Sequence, residues 1–104
     1  MDFKVILAPR AIGDLERIVR YIAPHNPPAA ERFGHALIGK TKLLAQFPEL
    51  GRKVPEMDDP RIRELIFKSY RIVYRVDHEK KAVEVSRFWH AAQGTPVLPD
   101  PLSL

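Results

Sequence analysis

Tyr70-Arg71-Ile72-Val73-Tyr74-Arg75-Val76 is the stretch from which the rest of the chain can be ordered. It alternates cleanly. Tyr70, Ile72, Tyr74 and Val76 share one face of a strand, and Arg71, Val73 and Arg75 share the other. A polar turn follows from Asp77 to Lys81, and the chain returns as a strand from Ala82 to about Trp89, ending on His90. Upstream, Arg61 to Phe67 reads as another strand, of ambiguous periodicity. The apolar face of Tyr70 to Val76 needs a cover, and the N-terminal half supplies it.

Asp2 to Leu7 reads as a first strand, with Phe3, Val5 and Leu7 alternating against Lys4. Pro9 suits a first helical position, so a helix is expected from there to about Ala23. Leu15, Ile18, Val19 and Ile22 form one apolar stripe, with Asp14, Glu16, Arg17 and Arg20 falling largely off it. Asn26 is a good N-cap with Pro27 behind it, and a second helix runs to about Gln46. The short break between the helices predicts an antiparallel hairpin. Phe47 to Pro60 holds prolines, a glycine and Asp58-Asp59-Pro60, and reads as a loop.

The expected architecture is therefore α+β in two layers, ordered β-α-α-β-β-β. A helical hairpin covers one face of an antiparallel sheet. That leaves the Arg71/Arg75 face open. Residues 1–94 are expected to form a single domain. Residues 95–104 are a proline-rich tail, either extended along a surface or disordered.

At 104 residues one modest core is all the chain can bury. It has no cysteine, which excludes disulfides, thiolate catalysis and a Cys-based metal site. No histidine pair has metal-ligand spacing. There is no signal-peptide layout and no apolar run long enough for a membrane span, so a cytoplasmic protein is expected. The net charge of +4 favours acidic partners, whether nucleic acid or an acidic protein segment.

The residues suited to chemistry gather in the C-terminal half. Arg71 and Arg75 emerge about 13 Å apart along one strand. With Arg63 and Arg87 on neighbouring strands they form a candidate anion surface, since a guanidinium forks onto phosphate and stays charged. His90 is a candidate acid or base at a strand end. Phe88 and Trp89 alternate faces, so one should enter the core and the other could be exposed, where it could stack a base. Arg52, Lys53 and Glu56 form a loop constellation that can be placed beside the open face. No Walker loop, dinucleotide motif or nucleophile elbow is present.

Taken in order, several short pieces carry a resemblance that covers nearly the whole chain. They are Pro9-Arg10-Ala11 with Asp14-Leu15, Ile18 to Ile22, Asn26-Pro27 with Ala29-Ala30, and Phe33. Then come Phe47-Pro48-Glu49-Leu50-Gly51-Arg52, Arg63-Glu64-Leu65, Tyr70 to Val76, and Arg87-Phe88-Trp89-His90-Ala91-Ala92. The set is similar to the RelE/ParE superfamily of toxins from bacterial type II toxin–antitoxin modules. RelE-like members are ribosome-dependent mRNA endonucleases that use no metal. ParE-like members poison DNA gyrase and show no evident nuclease site. The Asn-Pro helix junction, the Phe-Pro-x-x-Gly-Arg loop and the Trp-His ending look more like ParE.

The resemblance implies a growth-inhibiting toxin of a plasmid-stabilisation type. It also implies a cognate acidic antitoxin whose C-terminal segment wraps the helical hairpin and sheet edge. The nuclease alternative places Arg71 on the phosphate, His90 on the C-terminal His or Tyr, and Glu56 loosely on the loop base. Arg52, Lys53, Arg63, Arg75 and Arg87 would then meet nucleic acid or the protein target. The sequence departs from the RelE pattern in having no loop lysine cluster beyond Lys53 and no tyrosine near the end of the last strand. A third possibility is a degenerate module that keeps only antitoxin binding. No cofactor or metal is implied in any of these.

Overall fold

The computed structural model describes residues 2–98. Strand β1 (Lys4–Leu7) leads into helices α1 (Pro9–Ile22) and α2 (Pro27–Lys42), and a 3-10 turn at Leu43–Ala45 prolongs α2. Strands β2 (Arg52–Lys53), β3 (Ile62–Phe67), β4 (Tyr70–Asp77) and β5 (Ala82–His90) follow, closed by a 3-10 turn at Ala91–Gln93. The helix starts follow the sequence signals. Pro9 and Pro27 sit in first turns, and the Asn26 side chain accepts the Ala29 N–H at 3.1 Å.

The sheet runs β1-β5-β4-β3-β2. Two features differ from the expectation. The Phe47–Pro60 loop contributes the short strand β2, which pairs Arg52 with Glu64 and Lys53 with Arg63. The sheet is also mixed, because β1 runs parallel to β5, with Lys4 opposite Ala82 and Leu7 opposite Val85. The two-layer α+β arrangement is otherwise as expected. The tail from residue 99 onward lies outside the described residues.

The helices cover the face that the alternation of β4 requires. Ile72, Tyr74, Val76, Val83, Val85 and Phe88 pack against Ala11, Ile18, Leu37 and Leu44. Gly51 lets the loop close over this layer. A Cβ there would collide with the Glu64 carbonyl and stand 2.8 Å from the Tyr74 hydroxyl, which accepts the Gly51 N–H.

The opposite face is not open, and here the sequence expectation is corrected. Val54, Ile62 and Val73 form a second buried cluster, joined by Met57 and Leu98. The β2–β3 loop and the chain after β5 fold back over it. Ile62 and Val73 on that face gain by being removed from water, and the loop that carries Val54 and Met57 reaches them.

A β-bulge in β5 decides which residues reach which face. Val73 is opposite Arg87 but Tyr74 is opposite Val85, so Ser86 is an extra residue with no partner. It reverses the alternation beyond it. Phe88 thereby comes opposite Ile72 and enters the helical core, and His90 comes opposite Tyr70. Trp89 joins Arg71 on the far side and is also buried, so neither aromatic takes the exposed position that the sequence left open for one of them.

Candidate functional site

The residues expected to work together are divided by the sheet. Arg71 and Glu56 lie on the side away from the helices. Its Nη1 and Nη2 each donate to a Glu56 carboxylate oxygen at 2.8 Å. Its Nε donates to Glu64 Oε1 at 2.5 Å, and Nη1 also reaches the Gly94 carbonyl at 3.3 Å. Glu64 is fully enclosed, and its other oxygen accepts from Arg52 Nε at 2.8 Å. Every nitrogen of the Arg71 guanidinium is therefore engaged. Its proton affinity is raised, chiefly by the Glu56 hydrogen bond.

The same bond governs Glu56. Its carboxyl is held at about 2, mainly by hydrogen bonding from Arg71 and against a smaller opposing effect of burial. A carboxylate that weakly basic is poorly suited to take a proton from a hydroxyl near neutral pH.

Arg87 is buried and bidentate on a residue far away in sequence. Nε and Nη2 donate to the two oxygens of Asp14 on α1, at 2.7 and 2.8 Å. Asp14 also accepts the backbone N–H of Phe88 at 3.1 Å and an ion pair from Arg17. This carboxylate serves the edge of β5 where β1 has ended, satisfying an amide that the ladder leaves unpaired. The expectation that Asp14 lies off the packed stripe is corrected, for it is 4% exposed. The signal was present, since Ala11, Asp14 and Ile18 follow at offsets of three and four and all are buried. Glu64 was likewise missed as a site residue. Nothing in its own strand announces that two arginines converge on it.

His90 faces an open cleft of about 490 Å³ between α1 and the ends of β4 and β5, lined by Arg17, Ile18, Tyr21, Tyr70 and Gln93 among others. Its Nδ1 accepts the Ala92 N–H at 3.1 Å, which leaves the proton of the neutral ring on Nε2. The His90 and Tyr70 rings meet edge to face at 5.0 Å. Burial pushes the Tyr70 hydroxyl above its ordinary value. Asp14, at the floor of the cleft, is consumed by its cationic partners.

The remaining predicted residues are scattered. Arg63 is opposite Tyr74 and so lies on the helical side, donating to the Gly51 carbonyl at 2.9 Å, and does not stand beside Arg71. Arg75 is half-buried between Ile62 and Glu84, and its Nε and Glu84 Oε1 have no hydrogen-bond partner. Arg52 and Lys53 are exposed on β2. Among the described residues no cluster of His, Cys, Asp or Glu could hold a metal, and no helix is long and apolar enough to cross a membrane.

Comparison with known proteins gives a consistent family signal. The model of the ParE toxin of the type II toxin–antitoxin system parDE matches residues 5–94. Toxin RelE1 of Caulobacter vibrioides is 31% identical over 97 residues, spanning 89% of this chain and 98% of that protein. The chromosomal ParDE system from P. aeruginosa superposes with a TM-score of 0.71 at 20% identity, covering 85% of this chain and 95% of the other. The toxin–antitoxin complex RelBE2 from Mycobacterium tuberculosis gives 0.66 at 22%, covering 86% and 99%. At those identities the two structures speak to the fold.

Proposed function

The chain belongs to the ParE toxin family of type II toxin–antitoxin systems, and from that membership we propose that it stops growth by docking on DNA gyrase. One observation carries the choice of a docking toxin over a nuclease. Arg71 and Glu56 lie on one face of the sheet and His90 on the other, with the Arg71 donors already spent on carboxylates. Metal-free RNA cleavage needs a base for the 2′-hydroxyl, cations on the phosphate and an acid for the leaving oxygen, all within reach of one another. These three residues do not offer that arrangement. A docking toxin needs no chemistry.

The partner that holds the toxin in check is a cognate acidic antitoxin, acting in the cytoplasm. The charge of +4 supports it, as do the exposed Ile12 and Tyr21 on α1, which suit the apolar face of an amphipathic segment. Both solved neighbours named above are, by their descriptions, toxin–antitoxin systems.

The second reading, a ribosome-dependent mRNA endonuclease, is favoured by the name of the Caulobacter relative. One induction experiment separates the two. Plasmid relaxation or double-strand breaks with intact transcripts support gyrase poisoning. New mRNA 5′ ends within translated frames, lost in His90→Ala, would overturn it. No growth defect at all would leave a module that only binds antitoxin.

A further inference from the structure

We propose that the groove between α2 and the β3–β4 turn is a binding surface for the phosphodiester backbone of duplex DNA, recognised by charge and not by sequence. Ala29, Arg32, Phe33, Ala36, Phe67 and Lys68 line it, around a space of about 310 Å³. Arg32, Ala36 and Lys40 follow at four-residue spacing, so they form one stripe along α2. Its two cations stand about 12 Å apart along the helix axis, with only an alanine between them on that stripe. Lys68 enters from the turn. Its ammonium and that of Lys40 lie 5.9 and 5.6 Å from the centre of the same Phe67 ring.

The fold does not need this crowding. One cation suffices for an aromatic ring, and a second beside it adds repulsion. Lys68 also sits at φ 53°, a left-handed conformation that strains a lysine and not a glycine. Lys40 lies in the last turn of α2, where the helix dipole accounts for it, but Arg32 and Lys68 have no such reason. Among the described residues none of the three is in an ion pair, and no acid lines the groove. Glu31, the one acid of α2, borders the adjoining groove and lies 3.8 Å from His35. Glu64 of β3 is enclosed and held by Arg52 and Arg71.

The occupant follows from what the groove lacks. A peptide is held by apolar anchors or by free backbone groups as well as by charge. Here Phe33 stacks on Phe67 at 5.8 Å and meets Tyr70 at 5.5 Å, and the backbone of α2 is bonded within the helix. Single strands are held by bases stacked on open aromatic faces, whereas Phe33 and two ammoniums already stand on Phe67. A duplex backbone asks only for cations spaced along it. The groove shares no residue with the Ile12 and Tyr21 surface proposed for the antitoxin, and it does not depend on the toxin's target.

Fluorescence anisotropy of a labelled mixed-sequence DNA duplex, titrated with the full chain and no other protein, tests this. Three phosphate contacts predict that log Kobs falls against log salt with a slope of about −2.7, a loss of about 40-fold between 50 and 200 mM. Arg32→Gln, Lys40→Gln and Lys68→Gly should each make the slope shallower by about 0.9, and duplexes of unrelated sequence should bind alike. Lys80→Gln, on the exposed β4–β5 turn, should leave it unchanged. Lys68→Gly relieves the strained turn, so its Tm should not fall, which separates lost charge from lost fold. Arg32→Gln and Lys40→Gln, both exposed, carry the test if that variant does not fold. Absence of binding at low salt, a slope that the three variants keep, or an equal loss in Lys80→Gln overturns the proposal. Tighter binding of oligothymidylate or of oligoglutamate than of the duplex also overturns it, and the latter would make the groove an acidic-peptide site.

Discussion

Arg71 and His90 stand on neighbouring strands but on opposite faces of the sheet, Arg71 opposite Trp89 and His90 opposite Tyr70. Their substitutions should therefore behave as unrelated events. Arg71→Ala leaves Glu64 enclosed with only Arg52 as a partner, and Glu56 with none. Removing one partner of a buried pair costs about 3–5 kcal/mol. His90→Ala removes the cap on the Ala92 N–H, an exposed contact worth about 1 kcal/mol. Urea denaturation of the two variants should show this disparity. For a gyrase-docking toxin, growth inhibition should survive in His90→Ala. Equal destabilisation would contradict the geometry.

Replacing the buried Arg71–Glu64 pair tests whether it holds the fold or only fixes the loop. Glu64→Leu with Arg71→Met removes both buried charges. By the energetics of buried pairs it should recover most of what Arg71→Ala loses. A double-mutant cycle on chemical denaturation gives the coupling, and a value near zero would mean that Arg71 and Glu64 act independently.

Acid should loosen the same corner. Glu56 is held at about 2, below its ordinary 4.5, first of all by the Arg71 hydrogen bond. A depressed folded-state pKa stabilises the fold fully above the unfolded value. That contribution is lost as pH falls from about 4.5 towards 2. Asp59, lowered chiefly by Arg61, adds to the effect below its ordinary 3.8. Thermal melts in small pH steps should show Tm falling through this window, with a shallower fall in Glu56→Gln. Identical slopes in the two proteins would show that Glu56 is not a source of the dependence.

What the sequence revealed and what it concealed divide along the range of the interactions. Tyr70 to Val76 announced its buried face because alternation is local, and Asn26-Pro27 announced a helix start for the same reason. The bulge at Ser86 left no mark, so the faces of Phe88, Trp89 and His90 could not be read from Val83 and Val85. Asp14 and Arg87 are 73 residues apart, and each alone looks like an ordinary surface charge. The arginine face was expected to be open because its cover is irregular chain, Val54 to Met57 and residues 94–98, which carries no periodic signal. The candidate site was therefore legible as a set of residue types and not as an arrangement.

Two glycines separate close packing from backbone freedom. A Cβ at Gly51 meets the Glu64 carbonyl and the Tyr74 hydroxyl, and the strand-pairing loop has no room to yield. Gly51→Ala should destabilise by about 1–3 kcal/mol, as overpacked sites do. Gly39 lies inside α2 with nothing within 4 Å of the added carbon. Gly39→Ala should stabilise by about 0.5–1 kcal/mol through helix propensity. Paired thermal melts would show opposite signs, and the same sign for both would mean that the loop can shift away from an alanine at position 51.

Asp14→Asn is the sharpest test of how the helical layer is joined to the sheet. The amide keeps the shape and one acceptor, so the Phe88 N–H can still be met. It removes the charge that binds Arg87 in a bidentate pair and places an NH₂ against guanidinium nitrogens. Arg87 is about 10% exposed and would become a buried cation without a counterion. The loss should be about 3–5 kcal/mol, a large part of the stability of a domain this size. Arg87→Met in the same chain should restore part of it, since the stranded charge is then gone. If Asp14→Asn melts like the parent, the Asp14–Arg87 pair is not what fastens α1 to β5, and the apolar contacts of Ala11 and Ile18 would have to suffice.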